Sequence, residues 1–278
     1  MICFMFPGQP MARTELPADD RLFAGICSTC RAVSGFDPLD DPGTPSSMPE
    51  SVRLQLYGVA MSIYRHELLL GKYGALDLVA EHSLGIYPAL AACGCIGVNE
   101  ALELAGRIGH CLAAMGGRAA YAFGSVIGLT VGPLQAIAAN NAVFIANHNT
   151  SHHFLLAGPL AAIAAANREA EAAGAFSVGV FPSDAPLHTP LVEEIRVDLA
   201  AIVGDYQFRE PVIPLIEHLT QQPLAAADVP AFLVDELCRP VYWEKTCRTL
   251  RSMGVTRFVE AGYGQALTKF NRWIDSIS

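Results

Sequence analysis

The sequence predicts an α/β protein in which a small antiparallel-sheet module interrupts a larger, mainly parallel domain. Three observations carry that prediction. Short apolar runs of strand length end in turn signals, as over residues 2–6 before Pro7-Gly8. Stretches with apolar residues at helical spacing alternate with them, as over 51–70 and 99–115. Between Ala119 and Phe181 the rhythm changes to β-α-β-β-α-β, the split or ferredoxin-like order.

Each element has a local reason. Residues 2–6 read as a buried strand that delivers a turn at Pro7-Gly8, and 37–50, with Pro38, Pro42, Gly43, Pro45 and Pro49, as a loop. From Ser51 to Leu70, Leu54, Leu56, Val59 and Ile63 recur at helical spacing, and Gly71 reads as the stop. Residues 76–80 are a second buried strand, and a helix runs from near Leu84 to about Cys95. The next helix, 99–115, carries Leu102, Leu104, Ile108 and Leu112. In the middle of the chain, 119–128 is strand-like and 133–141 a short helix. Strands at 143–147 and 153–158 flank a polar turn, followed by an Ala-rich helix over 159–174 and a strand at 176–181. From Pro190 onward come helices and one more strand, 257–260, so the outer domain resumes after the module.

Composition removes several functions. The 278 residues are 52% hydrophobic and only 16% charged, which is too apolar for a disordered chain. A net charge of -9 argues against a nucleic-acid partner. The longest apolar region, 126–146, is broken by Thr130, Pro133, Gln135, Asn140 and Asn141, so no membrane span is expected. The first six residues lack the basic flank of a signal peptide. Eight cysteines in so long and apolar a chain fit a reducing compartment, and a cytoplasmic location is expected. The lone CxxC at Cys27 and Cys30 has no second half, and Cys93 and Cys95 read as core. No metal site is predicted.

The chemistry concentrates at Leu76–Gly85. A strand ends, Ser83 sits on the turn, and a helix starts at once, as in a nucleophile elbow. The usual elbow is GxSxG, and here its first glycine is Glu81. A serine N-cap between strand and helix gives the same pattern without chemistry, so these residues alone leave both readings open.

Other blocks extend the pattern. The chain has Phe6-Pro7-Gly8-Gln9-Pro10, then Glu81-His82-Ser83-Leu84-Gly85-Ile86-Tyr87-Pro88-Ala89-Leu90, then Ile145-Ala146-Asn147-His148-Asn149 through Ala157-Gly158. Pro186-Leu187-His188 and a block from Pro240-Val241-Tyr242-Trp243 to Leu267-Thr268 complete it. In that order these blocks resemble the malonyl-CoA:acyl-carrier-protein transacylase family, which also supplies acyltransferase domains of fatty acid and polyketide synthases. The resemblance covers nearly the whole chain. It implies an α/β-hydrolase-like core with a parallel sheet, formed by 1–116 and 187–278, and an inserted ferredoxin-like small subdomain at 117–186. It also implies acyl transfer from coenzyme A to an acyl-carrier protein through an ester on Ser83, with His188 as the base. Backbone N–H groups of Gln9 and Leu84 match the oxyanion donors. His82 and Asn149 match positions that line the pocket. Glu236 stands where relatives orient the histidine through a main-chain carbonyl, and a side-chain triad is the alternative. The thioester is substrate and the phosphopantetheine belongs to the partner, so no cofactor is expected. His148, His152 and His153 match a polar turn and receive no site.

Several residues depart from the family. Malonyl-specific members place an arginine where this chain has Ile108, while Arg107 lies about 100° round the helix. Isoleucine suits an apolar acyl tail and leaves a buried malonyl carboxylate unpaired. Arg53 is the one candidate for a relocated clamp. Pro10 and Ile86 replace a usual glycine and glutamate, and Pro88 falls where a missing N–H is tolerated. Two rival readings follow: a hydrolase that clears acyl groups from carrier proteins, and a silent docking module.

Overall fold

The computed structural model describes every residue except 11, 12, 14, 15, 41, 42, 44, 45, 277 and 278. Pro42 and Pro45 of the predicted loop therefore lie outside the described residues. The chain opens with β1 (Ile2–Phe6), α1 (Arg21–Ser34), α2 (Glu50–Tyr73), β2 (Leu78–Glu81), α3 (Ile86–Ala92) and α4 (Val98–Gly116). The module follows as β3 (Tyr121–Ile127), α5 (Val131–Asn140), β4 (Phe144–Thr150), β5 (His153–Pro159), α6 (Leu160–Ala172) and β6 (Ser177–Ser183). The chain closes with α7 (Arg196–Gly204), β7 (Leu215–Ile216), α8 (Val229–Cys238), α9 (Trp243–Ser252), β8 (Arg257–Glu260) and α10 (Ala266–Ser276).

Two sheets result, as the sequence predicts. The first has the order β7-β2-β1-β8 and is parallel throughout. The second has the order β4-β5-β3-β6 with antiparallel neighbours, the ferredoxin-like arrangement. The central strand β1 is apolar end to end because helices cover both of its faces. Phe4 and Phe6 pack with Phe23, Leu56, Leu90 and Leu102 from α1 to α4. Cys3 and Met5, one pleat out of phase, pack with Trp243, Leu250, Leu267 and Ile274 from α9 and α10. Trp243 is fully buried, and its indole N–H donates to Asn271 Oδ1 at 2.9 Å. In the module only one face of β3 is covered, so its burial alternates residue by residue.

The differences from the sequence reading are local. No helix is read at Arg21–Ser34, because only Phe23, Ile26, Cys27 and Cys30 of it face the core. The CxxC cysteines are therefore two of α1's four core contacts, and both are free thiols. Helix α2 passes through Gly71 and ends at Gly74, where φ is 79°. Among the described residues no helix is long and apolar enough to cross a membrane.

The parallel sheet positions everything that follows. Phe6 pairs with Glu81, Ala80 with Ile216 and Met5 with Glu260, so four strands end at one edge. The segments Pro7–Gln9, His82–Ser83, Glu217–His218 and Ala261–Gly262 leave the sheet there, the edge where open α/β sheets hold ligands. Two glycines let these segments close up. A Cβ on Gly85 would lie 2.1 Å from the Phe6 carbonyl oxygen, and one on Gly262 would lie 2.1 Å from Pro7 Cγ. Gly85→Ala forces backbone apart rather than a flexible side chain. We expect it to lower the unfolding free energy by about 1–3 kcal/mol in urea titration. An unchanged midpoint would contradict this packing.

Candidate active site

Strand β2 ends at Glu81, residues Ser83–Gly85 make one 3-10 turn, and α3 begins at Ile86. Ser83 has φ 55°, a left-handed conformation that an L side chain adopts at a cost of about 1–3 kcal/mol. The sharp turn turns its hydroxyl off the sheet, and Oγ lies 2.7 Å from His188 Nε2, 105 residues further along the chain. His188 is itself left-handed, at φ 61°. Its backbone N–H donates to the Leu237 carbonyl at 2.7 Å, and its ring Nδ1 lies 2.7 Å from the Glu236 carbonyl oxygen. Thr189 fixes the same segment by donating to the Pro186 carbonyl and accepting from Leu191 N–H.

These contacts settle the tautomer. A carbonyl only accepts, so His188 carries its proton on Nδ1, and in the neutral ring Nε2 must accept from the serine hydroxyl. Burial pushes His188 down to about 3, with His218 nearby adding to the effect. The ring is therefore neutral across the physiological range, as a general base requires.

The expectation of a choice between main chain and side chain at Glu236 is answered in an unexpected way. The carbonyl makes the hydrogen bond, yet the carboxylate also turns inward, with Oε2 3.6 Å from His188 Nδ1, too far for a bond. Glu236 is only 1% exposed, because α8 packs almost its whole circumference. Burial raises this carboxyl well above the usual range, and Glu81 adds to the rise.

Ser83 opens into a cleft of about 550 Å³ lined from both sheets. Gln9, Leu84, His82 and Ile108 all line it. Leu54, Leu112, Phe123, Leu155 and Phe181 make the rest an apolar wall. Its charged lining groups are Glu50, Asp184 and Glu236; no lysine or arginine lines it among the described residues.

The family model described as acyl transferase domain matches residues 46–269. The chain belongs to that family. The polyketide biosynthesis protein ThaF of Burkholderia thailandensis is 30% identical over 99% of this chain, which spans only 24% of ThaF. The malonyl CoA-acyl carrier protein transacylase of Escherichia coli is 26% identical over 98% of this chain and 92% of its own. A solved malonyl-CoA:acyl carrier protein transacylase from Xanthomonas oryzae superposes with a TM-score of 0.90 at 24% identity, covering 99% of this chain and 91% of its own.

Within this acyl transferase domain, two sequence expectations need correction. Arg53 does not line the cleft; its guanidinium pairs with Glu50 one helical turn away. Asn149 does not line it either. Its Oδ1 lies 3.0 Å from His82 Nε2, so it holds the His82 ring from behind. Sequence reading missed Asn147 and Tyr87, which do line the cleft. It also missed a buried contact between Glu81 and His218, whose only sequence signal is the charged residue in place of an elbow glycine. His148 and His153 pack against Phe154 and Phe270 and stay apart from any ligand group. Among the described residues the only cluster with metal-ligand atoms is His188, His218 and Glu236. Its His188 Nδ1 already donates to a carbonyl, so the cluster is a proton network first.

The depressed His188 has a measurable consequence. A lowered value keeps the base unprotonated as pH falls through 6.5, so the acid limb of the serine acylation rate should lie below about pH 5. Burst-phase rates between pH 4 and 8 check this, and a limb near 6.5 would show an ordinary, solvated histidine.

Proposed function

We propose that this domain moves an acyl group from a coenzyme A thioester to the phosphopantetheine thiol of an acyl-carrier protein through an ester on Ser83. The observation that carries the reading is the 2.7 Å contact from Ser83 Oγ to His188 Nε2, with the proton of His188 committed to a carbonyl on its far side. Similarity to the Escherichia coli malonyl CoA-acyl carrier protein transacylase supports the choice of thioester and partner.

His188 Nε2 takes the Ser83 proton as Oγ attacks the thioester carbonyl. Gln9 and Leu84 both line the cleft, and their backbone N–H groups are the donors assigned to the oxyanion in this reading. Collapse breaks the C–S bond, and His188 returns the proton to the departing coenzyme A thiolate. The second half runs in reverse: the carrier thiol loses its proton to His188, attacks the ester, and Ser83 leaves with that proton. No redox or metal cofactor enters these steps. We further divide the chain into a large unit, 1–116 with 187–278, and a small one, 117–186, with the cleft between them.

The acyl group in this reading is not malonyl. A malonyl carboxylate would enter a cleft that offers it no lysine or arginine among the described residues, with Ile108 in its wall and the acidic side chains Glu50, Asp184 and Glu236 also lining it. An unpaired buried carboxylate costs several kcal/mol, the same order as a substrate's whole binding energy. An apolar acyl chain meets Leu112, Phe123 and Phe181 instead.

The test is the rate of carrier-protein loading across acetyl-, hexanoyl- and malonyl-CoA, for wild type and Ile108→Arg. We expect unsubstituted acyl groups to load at least tenfold faster than malonyl, and Ile108→Arg to raise malonyl loading about tenfold, the scale of one ion pair. Wild-type preference for malonyl-CoA would overturn the apolar reading. Acyl release to water at equal rates with and without carrier protein would make the domain a hydrolase, and no turnover at all a docking module.

A further inference from the structure

Behind His188 lies a second pair of groups that the reaction above does not use. Glu81 stands where the elbow motif has its first glycine, at the last position of β2. His218 lies two residues beyond β7, the strand paired with β2. Adjacent parallel strands thus deliver both residues to the same edge. Glu81 Oε1 accepts from the His218 backbone N–H at 3.1 Å and contacts the ring Nδ1 at 2.7 Å, with both side chains fully buried.

With Nδ1–H of His218 donating to Glu81 Oε1, which also accepts from the His218 backbone N–H, the other ring nitrogen has no proton in the neutral ring and must accept. That nitrogen has no partner among the described residues, and neither does Glu236 Oε2. One nitrogen each from His218 and His188 and a Glu236 carboxylate oxygen lie within 4.8 Å of one another. The His188 and His218 rings stand edge to face, 6.2 Å apart. Phe232 closes the far side of His218 at 5.5 Å. The residues behind the base thus carry three buried atoms without a partner among the described residues: His218 Nε2, Glu236 Oε2 and Glu81 Oε2.

We propose that Glu81 and His218 are positioning residues for His188: Glu81 locks the His218 ring, and the locked ring holds the Glu236 carboxyl behind His188. Held there, the carboxyl leaves Nδ1–H of His188 donating to the Glu236 carbonyl, so that Nε2 stays aimed at Ser83. Without the lock, the Glu236 side chain and the freed His218 ring compete for that proton. The other titratable groups facing this cluster are Glu217, which acts on both Glu81 and His218, His82 beside His188, and Tyr87 beside Glu236. Either residue without the other loses its buried hydrogen-bond partner.

This inference rests on the Ser83 acyl-enzyme reading, and its test keeps the two apart. Glu81→Gly, His218→Leu and the double variant are compared by thermal unfolding and by the pH profile of Ser83 acylation. Each single variant should be less stable than the double. The double should fold, yet acylate about 10–100-fold more slowly than wild type, the scale of a misplaced catalytic group. Its acid limb should move to higher pH, because the neighbouring His218 charge that helps hold His188 down is gone. Wild-type rate and limb in the folded double variant would overturn the proposal and make the pair purely structural. Should the double not fold, His218→Asn carries the same test, since it keeps a donor for Glu81 and removes the ring nitrogen facing Glu236. Failure of wild type itself to acylate would strike the functional reading instead.

Discussion

Two left-handed residues that face each other organise this molecule. Ser83 at φ 55° and His188 at φ 61° come from distant parts of the chain, and each is held off the favoured backbone by its surroundings. Neither conformation is favourable for an L residue by itself. The parallel sheet supplies the first, by ending β2 hard against β1 so that the Gly85 turn packs onto the Phe6 carbonyl. Helix α8 supplies the second, through two consecutive carbonyls, Glu236 and Leu237, that receive the ring and the backbone of His188. The contact from Ser83 Oγ to His188 Nε2 and the tautomer of the ring follow from that meeting.

The site is polar chemistry in a dry place, and the groups answer in opposite directions. Burial lowers His82, His188 and His218, to about 4, 3 and 4. It raises Glu81 and Glu236 well above the ordinary carboxyl range. A lowered histidine binds fewer protons folded than unfolded, so it withdraws stability as pH falls below 6.5 towards the folded value. A raised carboxyl binds more protons folded, so it withdraws stability as pH rises through the range above 4.5. The two sets oppose each other, and the proton held between Glu81 and His218 sits where they meet. A buried cluster of this kind is costly where a member lacks a partner, as His218 Nε2 and Glu236 Oε2 do among the described residues.

Much of this was legible in the sequence, for identifiable reasons. Period-two and helical patterns give β1, α4 and the module, because one-sided or two-sided burial writes itself into the spacing of apolar residues. Ser83 is legible because strand, serine and helix adjoin in the chain. His188 is legible only through resemblance, since nothing local distinguishes a histidine before a turn. Ile108 lines the cleft, a position that the resemblance alone points to, whereas Arg53 lies outside it and pairs with Glu50, a partner only the fold reveals. The strand β7 and the contact from Glu81 to His218 are illegible. A two-residue strand has no period, and a pairing across 137 residues leaves no mark at either end beyond one charged residue where small ones are usual.

The central claim is that Ser83, through His188, becomes an ester. The most direct measurement is intact-protein mass spectrometry with peptide mapping after incubation with hexanoyl-CoA, for wild type and Ser83→Ala at equal thermal stability. The account predicts one hexanoyl group per chain, confined to the peptide that holds Ser83 and absent from Ser83→Ala. An adduct that survives in Ser83→Ala, or maps to one of the cysteines, would contradict it.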